Sequence, residues 1–165
     1  MQPGTQQKIL VIEDNESLAE IYKTRLELLN YLVFIAHNGI EGLYFAQNEL
    51  PDLILLDLMI PDIDGGKVLE IVRKSDWGTN IPVYVISNLN ETDAPENLRQ
   101  LGISGYSVKA MMTDDTVDQI VNGILRKEDG PADAPETSAN NPVNYQEIPV
   151  AEPPKDSTPP PPPTA

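Results

Sequence analysis

Leu53-Ile54-Leu55-Leu56-Asp57-Leu58-Met59-Ile60-Pro61-Asp62-Ile63-Asp64-Gly65 decides the fold. Four consecutive aliphatics run straight into one carboxylate. An apolar run of this length and steepness fits a strand buried on both faces, as in a parallel sheet covered by helices. The strand ends where its apolar residues end, which puts Asp57 at the carboxyl edge. Pro61 cannot donate to a sheet ladder, and Asp64-Gly65 reads as the cap of a following helix. Burying an unpaired carboxylate costs roughly several kcal/mol, so Asp57 needs a cation or a cleft. Alone it could equally be a strand terminator, and its neighbours have to decide.

Working outward, the same pattern repeats. Residues 8–12 form a short apolar strand that ends in Glu13-Asp14, and Asn15 caps a helix reaching to about Asn30. Leu18, Ile21, Tyr22, Leu26 and Leu29 step by three and four, which predicts one inward face. A second strand occupies 31–36 and is broken by Asn38-Gly39. The helix that follows is expected to turn Ile40, Leu43, Ala46 and Leu50 inward and to stop at Pro51. A third helix is predicted over 66–74 and a fourth strand over 81–86, with Ser87 at its end and Pro82 near its start. Trp77 is expected to cover the end of the third helix. A weak fourth helix is predicted over 94–101, anchored by Leu98 and Leu101 and ended by Gly102. A fifth strand over 104–108 runs into Lys109, and a fifth helix is predicted over 114–127. Five strand-then-helix repeats mean an α/β fold: a five-stranded parallel sheet, order 2-1-3-4-5, doubly wound and flavodoxin-like.

Composition bounds the function. The 165 residues carry 11 Lys and Arg against 26 Asp and Glu, a net charge of -15. Nucleic-acid binding needs clustered Lys and Arg, so neither half of the chain fits it. With no cysteine there is no disulfide framework and no thiol chemistry. No run approaches a membrane span and the first residues are short and polar, so no membrane role and a cytoplasmic location are expected. Residues 8–127 form the domain. Residues 1–7 are expected to be disordered. So are residues 128–165, an acidic tail that holds 11 of the 16 prolines.

Glu13, Asp14, Asp57, Ser87 and Lys109 all follow parallel strands, so they open on one side of the sheet. The first and third strands adjoin at the switch point of this topology, where ligands usually sit. Three carboxylates around one crevice repel unless a cation intervenes. An all-oxygen set without cysteine suits a hard ion, Mg2+ or Mn2+. The single histidine, His37, follows the second strand and is placed away from this cluster, as a surface residue. If Asp57 attacks phosphorus, the ammonium of Lys109 and the hydroxyl of Ser87 are suitable partners for phosphoryl oxygens.

These residues, with the Asp57–Gly65 loop, resemble the receiver domain of two-component response regulators over 8–127. The resemblance implies that Asp57 accepts a phosphoryl group from a histidine kinase or histidine phosphotransfer protein. It implies Mg2+ held by Glu13, Asp14, Asp57 and the backbone carbonyl of Met59, and phosphoryl contacts from Ser87 and Lys109. Tyr106 stands where the family has its switch aromatic. It would turn inward as Ser87 moves, altering the face of helix four, strand five and helix five for a downstream protein or a homodimer. Such a chain is not a turnover enzyme and catalyses only its own phosphorylation and dephosphorylation.

Two positions depart from the family. Ala110 replaces the usual proline after the lysine. A cis bond before alanine costs about 2.5–4 kcal/mol, so Lys109-Ala110 is expected to be trans. Asn88 replaces a small residue and is expected to alter water access to the cleft. Two other readings compete: a phosphorylation-independent pseudo-receiver, suggested by Ala110, and a haloacid-dehalogenase-like phosphatase, suggested by Asp62-Ile63-Asp64-Gly65. In the second, however, the nucleophile directly follows a hydrophobic strand, as Asp57 does and Asp62 does not.

Overall fold

Residues 9–12 and 53–56 are almost wholly buried in the computed structural model, which describes residues 6–113 and 115–126. They form the two central strands, β1 (Lys8–Ile12) and β3 (Leu53–Leu56), paired in parallel so that Ile12 lies beside Leu56. β2 (Leu32–Ala36), β4 (Val83–Ser87) and β5 (Gly105–Val108) complete a five-stranded parallel sheet in the order β2-β1-β3-β4-β5. The expected topology is the observed one.

Helices cover both faces. α1 (Glu16–Leu28) and α4 (Thr116–Leu125) close one core around Ile9, Val11, Leu26, Leu55 and Val121. α2 (Gly39–Glu49) and α3 (Gly65–Lys74) close the other around Leu10, Ile12, Leu56, Leu69 and Val85. Each such side chain, fully buried, contributes about 1.5–3 kcal/mol. Trp77 packs half-buried against the second core, beyond the end of α3, as expected.

Several expected details are corrected. The predicted helix over 94–101 is absent; the segment is a chain of turns, with Leu98 N–H bonded to the Pro95 carbonyl and Gly102 N–H to that of Arg99. Pro95 has no N–H, only six residues separate it from Gly102, and two apolar anchors do not offset the cost of nucleating so short a helix. β4 begins at Val83 rather than residue 81, and a 3-10 turn, Lys109–Met111, stands where no element was expected.

The inward faces of two helices also differ. α1 buries Ala19, Tyr22 and Leu26, leaving Ile21 60% exposed and Leu29 part-exposed. α2 faces the sheet with Gly39, Gly42 and Ala46, and Ile40 and Leu50 point to solvent. The glycine allows that approach: a Cβ at Gly42 would lie 2.6 Å from the Ile12 side chain. Helix-to-sheet distance, set by small residues, decides this face more than the aliphatic count does. The Lys109-Ala110 bond is trans, no cis peptide occurring among the described residues. Expectations about residues 1–5 and 127–165, the tail included, lie outside the described residues.

Candidate functional site

Equal strand length brings the acids together. With Ile12 beside Leu56, the next residues, Glu13 and Asp57, emerge level, and their backbones are pinned there. Asp57 N–H bonds the Ile12 carbonyl at 3.0 Å and Glu13 N–H bonds that of Ala36 at 2.9 Å. Both side chains are buried, Glu13 at 2% and Asp57 at 3% exposure, and Asp14 beside them is exposed. Carboxylate oxygens of Glu13, Asp14 and Asp57 lie within 4.8 Å of one another.

Lys109 closes the group from β5. Its Nζ donates to Asp57 Oδ2 at 2.5 Å and to Glu13 Oε2 and Oε1 at 2.6 and 2.8 Å. Three carboxylates against one ammonium leave a deficit of two positive charges. All donors are oxygen, so the set fits a hard divalent cation. Burial, partly offset by Lys109, raises the pKa of Glu13. Burial alone would lower that of Lys109, but its hydrogen bonds to Asp57 and Glu13 outweigh this and raise it. Beneath the acids, burial and then the charge of Glu13 push the Tyr22 phenol up to about 12.

The loop after β3 holds Asp57 still. Met59 N–H donates to Asp57 Oδ1 at 3.0 Å, while the Met59 side chain stands exposed at the mouth. Gly65 presses on the Asp57 backbone so closely that a Cβ there would lie 2.2 Å from the Asp57 carbonyl. Asp64 caps α3 by accepting Lys67 N–H at 3.0 Å, and Asp62 is exposed at a positive φ of 68°. Those two acids thus serve the turn and the helix, away from the cluster.

Ser87 is fully buried at the end of β4, and its Oγ accepts Leu89 N–H at a long 3.5 Å. It makes no hydrogen bond to Asp57 or Lys109 among the described residues. Asn88, with Met59, Leu18 and Ala110, lines the open cleft of about 590 Å3 around the acids. Tyr106, half-buried, donates its hydroxyl to the Leu89 carbonyl at 2.8 Å. The Leu89 backbone therefore carries Ser87 on its N–H and Tyr106 on its carbonyl.

Sequence reasoning misplaced one residue and missed another. His37 is not remote: its Nδ1 donates to the Glu13 carbonyl at 3.1 Å, because β2 is the immediate neighbour of β1. Arg73 on α3 was not singled out at all. It donates to the carbonyls of Leu101, Gly78, Ile81 and Gly102, tying the turn-rich segment to the entrance of β4. No local spacing announces such a contact, since its acceptors are backbone.

Comparison with known proteins bears on the whole arrangement. A family model described as the response regulator receiver domain matches residues 9–121. The chain is 32% identical over 139 residues to the "Probable transcriptional regulator ycf27" of Cyanophora paradoxa, covering 84% of this chain and 56% of that protein. It is 30% identical to the polar-differentiation response regulator DivK of Brucella anthropi, covering 61% and 82%. Among solved structures, it superposes on the receiver domain of a sensor histidine kinase from Pseudomonas aeruginosa with TM-score 0.66 and 25% identity, covering 73% of this chain and 98% of that one. That structure has a magnesium ion coordinated in its active site cleft. The chain spans about half the length of the transcriptional regulators it matches.

Proposed function

The chain belongs to the response regulator receiver domains of two-component signalling, and from that premise we propose that it is a phosphoacceptor switch acting through Asp57. The observation that carries the proposal is the Lys109 ammonium held on Asp57 and Glu13 at the ends of three different strands. A structural ion pair would need one acid; here two buried acids share one ammonium, with the exposed Asp14 carboxylate close beside them.

In the forward step a carboxylate oxygen of Asp57 bonds to phosphorus as the P–N bond of a kinase phosphohistidine breaks, and the leaving imidazole keeps the electron pair. Glu13, Asp14, Asp57 and the Met59 carbonyl would hold Mg2+ or Mn2+. The ion supplies charge neutralisation at the phosphoryl oxygens. Lys109 transfers its ammonium from Asp57 Oδ2 to a phosphoryl oxygen, and the Met59 N–H keeps the carboxylate oriented. Ser87 rotates its hydroxyl from Leu89 N–H toward a second phosphoryl oxygen. That releases one side of the Leu89 backbone, whose other side Tyr106 holds. The change passes to the face made by the turns of 94–101, β5 and α4, which a downstream partner reads. Hydrolysis reverses the step: water attacks phosphorus, inorganic phosphate leaves and the carboxylate is restored. Asn88 at the cleft mouth tunes that water's approach. The chain is a switch and not a turnover enzyme.

The whole-chain partners belong to the same proposal: a histidine kinase or phosphotransfer protein upstream, a protein target downstream, and no direct nucleic-acid contact from this acidic segment. No helix among the described residues is long and apolar enough to cross a membrane. Acetyl phosphate with Mg2+ is expected to label the protein in an acid-stable, base-labile form on Asp57, and Asp57→Asn to abolish the label. Labelling that survives Asp57→Asn, or a wild-type chain that never labels, would overturn the proposal. Ala110 was the ground for a phosphorylation-independent module; Lys109 reaches Asp57 despite it.

A further inference from the structure

β2 is an edge strand, and no strand among the described residues pairs with its outer edge. Leu32 N–H bonds the Gln7 carbonyl and the Ala36 carbonyl accepts Glu13 N–H, so the even-numbered residues of β2 face β1. By the alternation of a parallel ladder, the N–H and C=O of Val33 and Ile35 point away from the sheet. No side chain among the described residues caps them. Natural edge strands are usually blunted by charge, proline or a bulge. This one is not: residues 28–48 contain a single charged side chain, Glu41, in a chain of net charge -15.

The flank of the edge is apolar as well. Leu32 is 40% exposed and Tyr44, on α2, 64%. The Phe34 and Phe45 rings lie 6.0 Å apart, tilted by 33°, with Tyr44 edge-on to Phe45. We propose that this edge pairs antiparallel with the same edge of a second copy, about a two-fold axis at Phe34. Val33 of each copy then exchanges both backbone bonds with Ile35 of the other, and the two Phe34 side chains meet on one face of a continuous sheet.

A second copy is the occupant favoured by charge. Two chains of net charge -15 repel over most of their surfaces, and 28–48 is where that repulsion is least. The outward row is short and self-complementary, so an identical strand satisfies it completely.

The test is the mass of the full, unphosphorylated chain by sedimentation equilibrium from micromolar to millimolar concentration. Twice the chain mass of 18.2 kDa is expected, with association strengthened by added salt. Ile35→Pro removes an N–H that has no partner among the described residues, and Leu32→Lys adds charge at an exposed position. Both are expected to give the single-chain mass, with unchanged circular dichroism and unchanged labelling of Asp57. Phe34→Cys, in a chain without other cysteines, is expected to cross-link to a dimer on oxidation. A wild-type chain that stays at the single mass throughout would overturn the proposal, including the case where another protein's strand occupies the edge. So would a dimer that persists in both variants.

Discussion

Lys109 is the residue on which the cluster's charge balance turns. Replacing it with methionine keeps the stem and removes the only ammonium among three carboxylates. Breaking a buried ion pair from one side costs about 3–5 kcal/mol. Lys109→Met is therefore expected to lower the urea midpoint sharply at pH 7 in EDTA, and Mg2+ to restore much of the loss. The pH dependence has a defined sign. The folded pKa of Glu13 is raised, chiefly by burial, above its ordinary 4.5. Its contribution to stability is fully present below 4.5 and lost as pH rises through the raised value. The metal-free protein should thus lose stability on going upward from pH 4.5, more steeply in Lys109→Met, and Glu13→Gln should flatten the slope. Urea melts at several pH values check both. Glu13 and Asp57 were legible because each directly follows an apolar run. His37 was not, because its reach to the Glu13 carbonyl depends on how β2 ends against β1.

At the level of elements, strands read more faithfully than helices. Strand limits follow from where apolar residues stop, and all five were found, the largest shift being the start of β4. Helix faces depend on the distance to the sheet, which Gly42 sets for α2 and no hydrophobic count reveals. The segment 94–101 shows the other failure: a plausible pair of anchors, Leu98 and Leu101, too few to sustain a helix after Pro95. What holds it is Arg73, whose guanidinium spends its donors on four carbonyls and has its pKa lowered by burial. Arg73→Met keeps the aliphatic packing but takes the guanidinium donors from all four carbonyls, of which only that of Gly78 keeps a second partner, Ile81 N–H, among the described residues. A lost hydrogen bond that leaves a buried partner unsatisfied costs about 1–3 kcal/mol. The expected result is a loss of about 2–4 kcal/mol, with faster amide exchange at Leu98, Leu101 and Gly102. Exchange there that matches the wild type would show that the turns hold themselves. Lys would not rescue, since one ammonium cannot span four acceptors in a plane.

At the level of the whole molecule, two electrostatic costs coexist and can be separated. One is diffuse, the mutual repulsion behind a net charge of -15; the other is local, three acids at the ends of β1 and β3. Monovalent salt screens the first over a Debye length of about 10 Å at 0.1 M and reaches the buried acids poorly. A divalent ion bound only by the folded state acts on the second by mass action, adding about 2.7 kcal/mol at a hundredfold excess over its dissociation constant. Mg2+ at millimolar concentration is therefore expected to raise the melting temperature well beyond sodium chloride of equal ionic strength. Asp57→Asn together with Asp14→Asn should erase the magnesium increment and leave the sodium increment intact. Scanning calorimetry of the two proteins in the two salts gives four values, and the pattern is diagnostic. Equal increments from both salts in the wild type would mean that the acids of β1 and β3 do not act as one site. The phosphoacceptor reading of Asp57 would then lose its electrostatic basis, because that reading requires the two segments to share one cation.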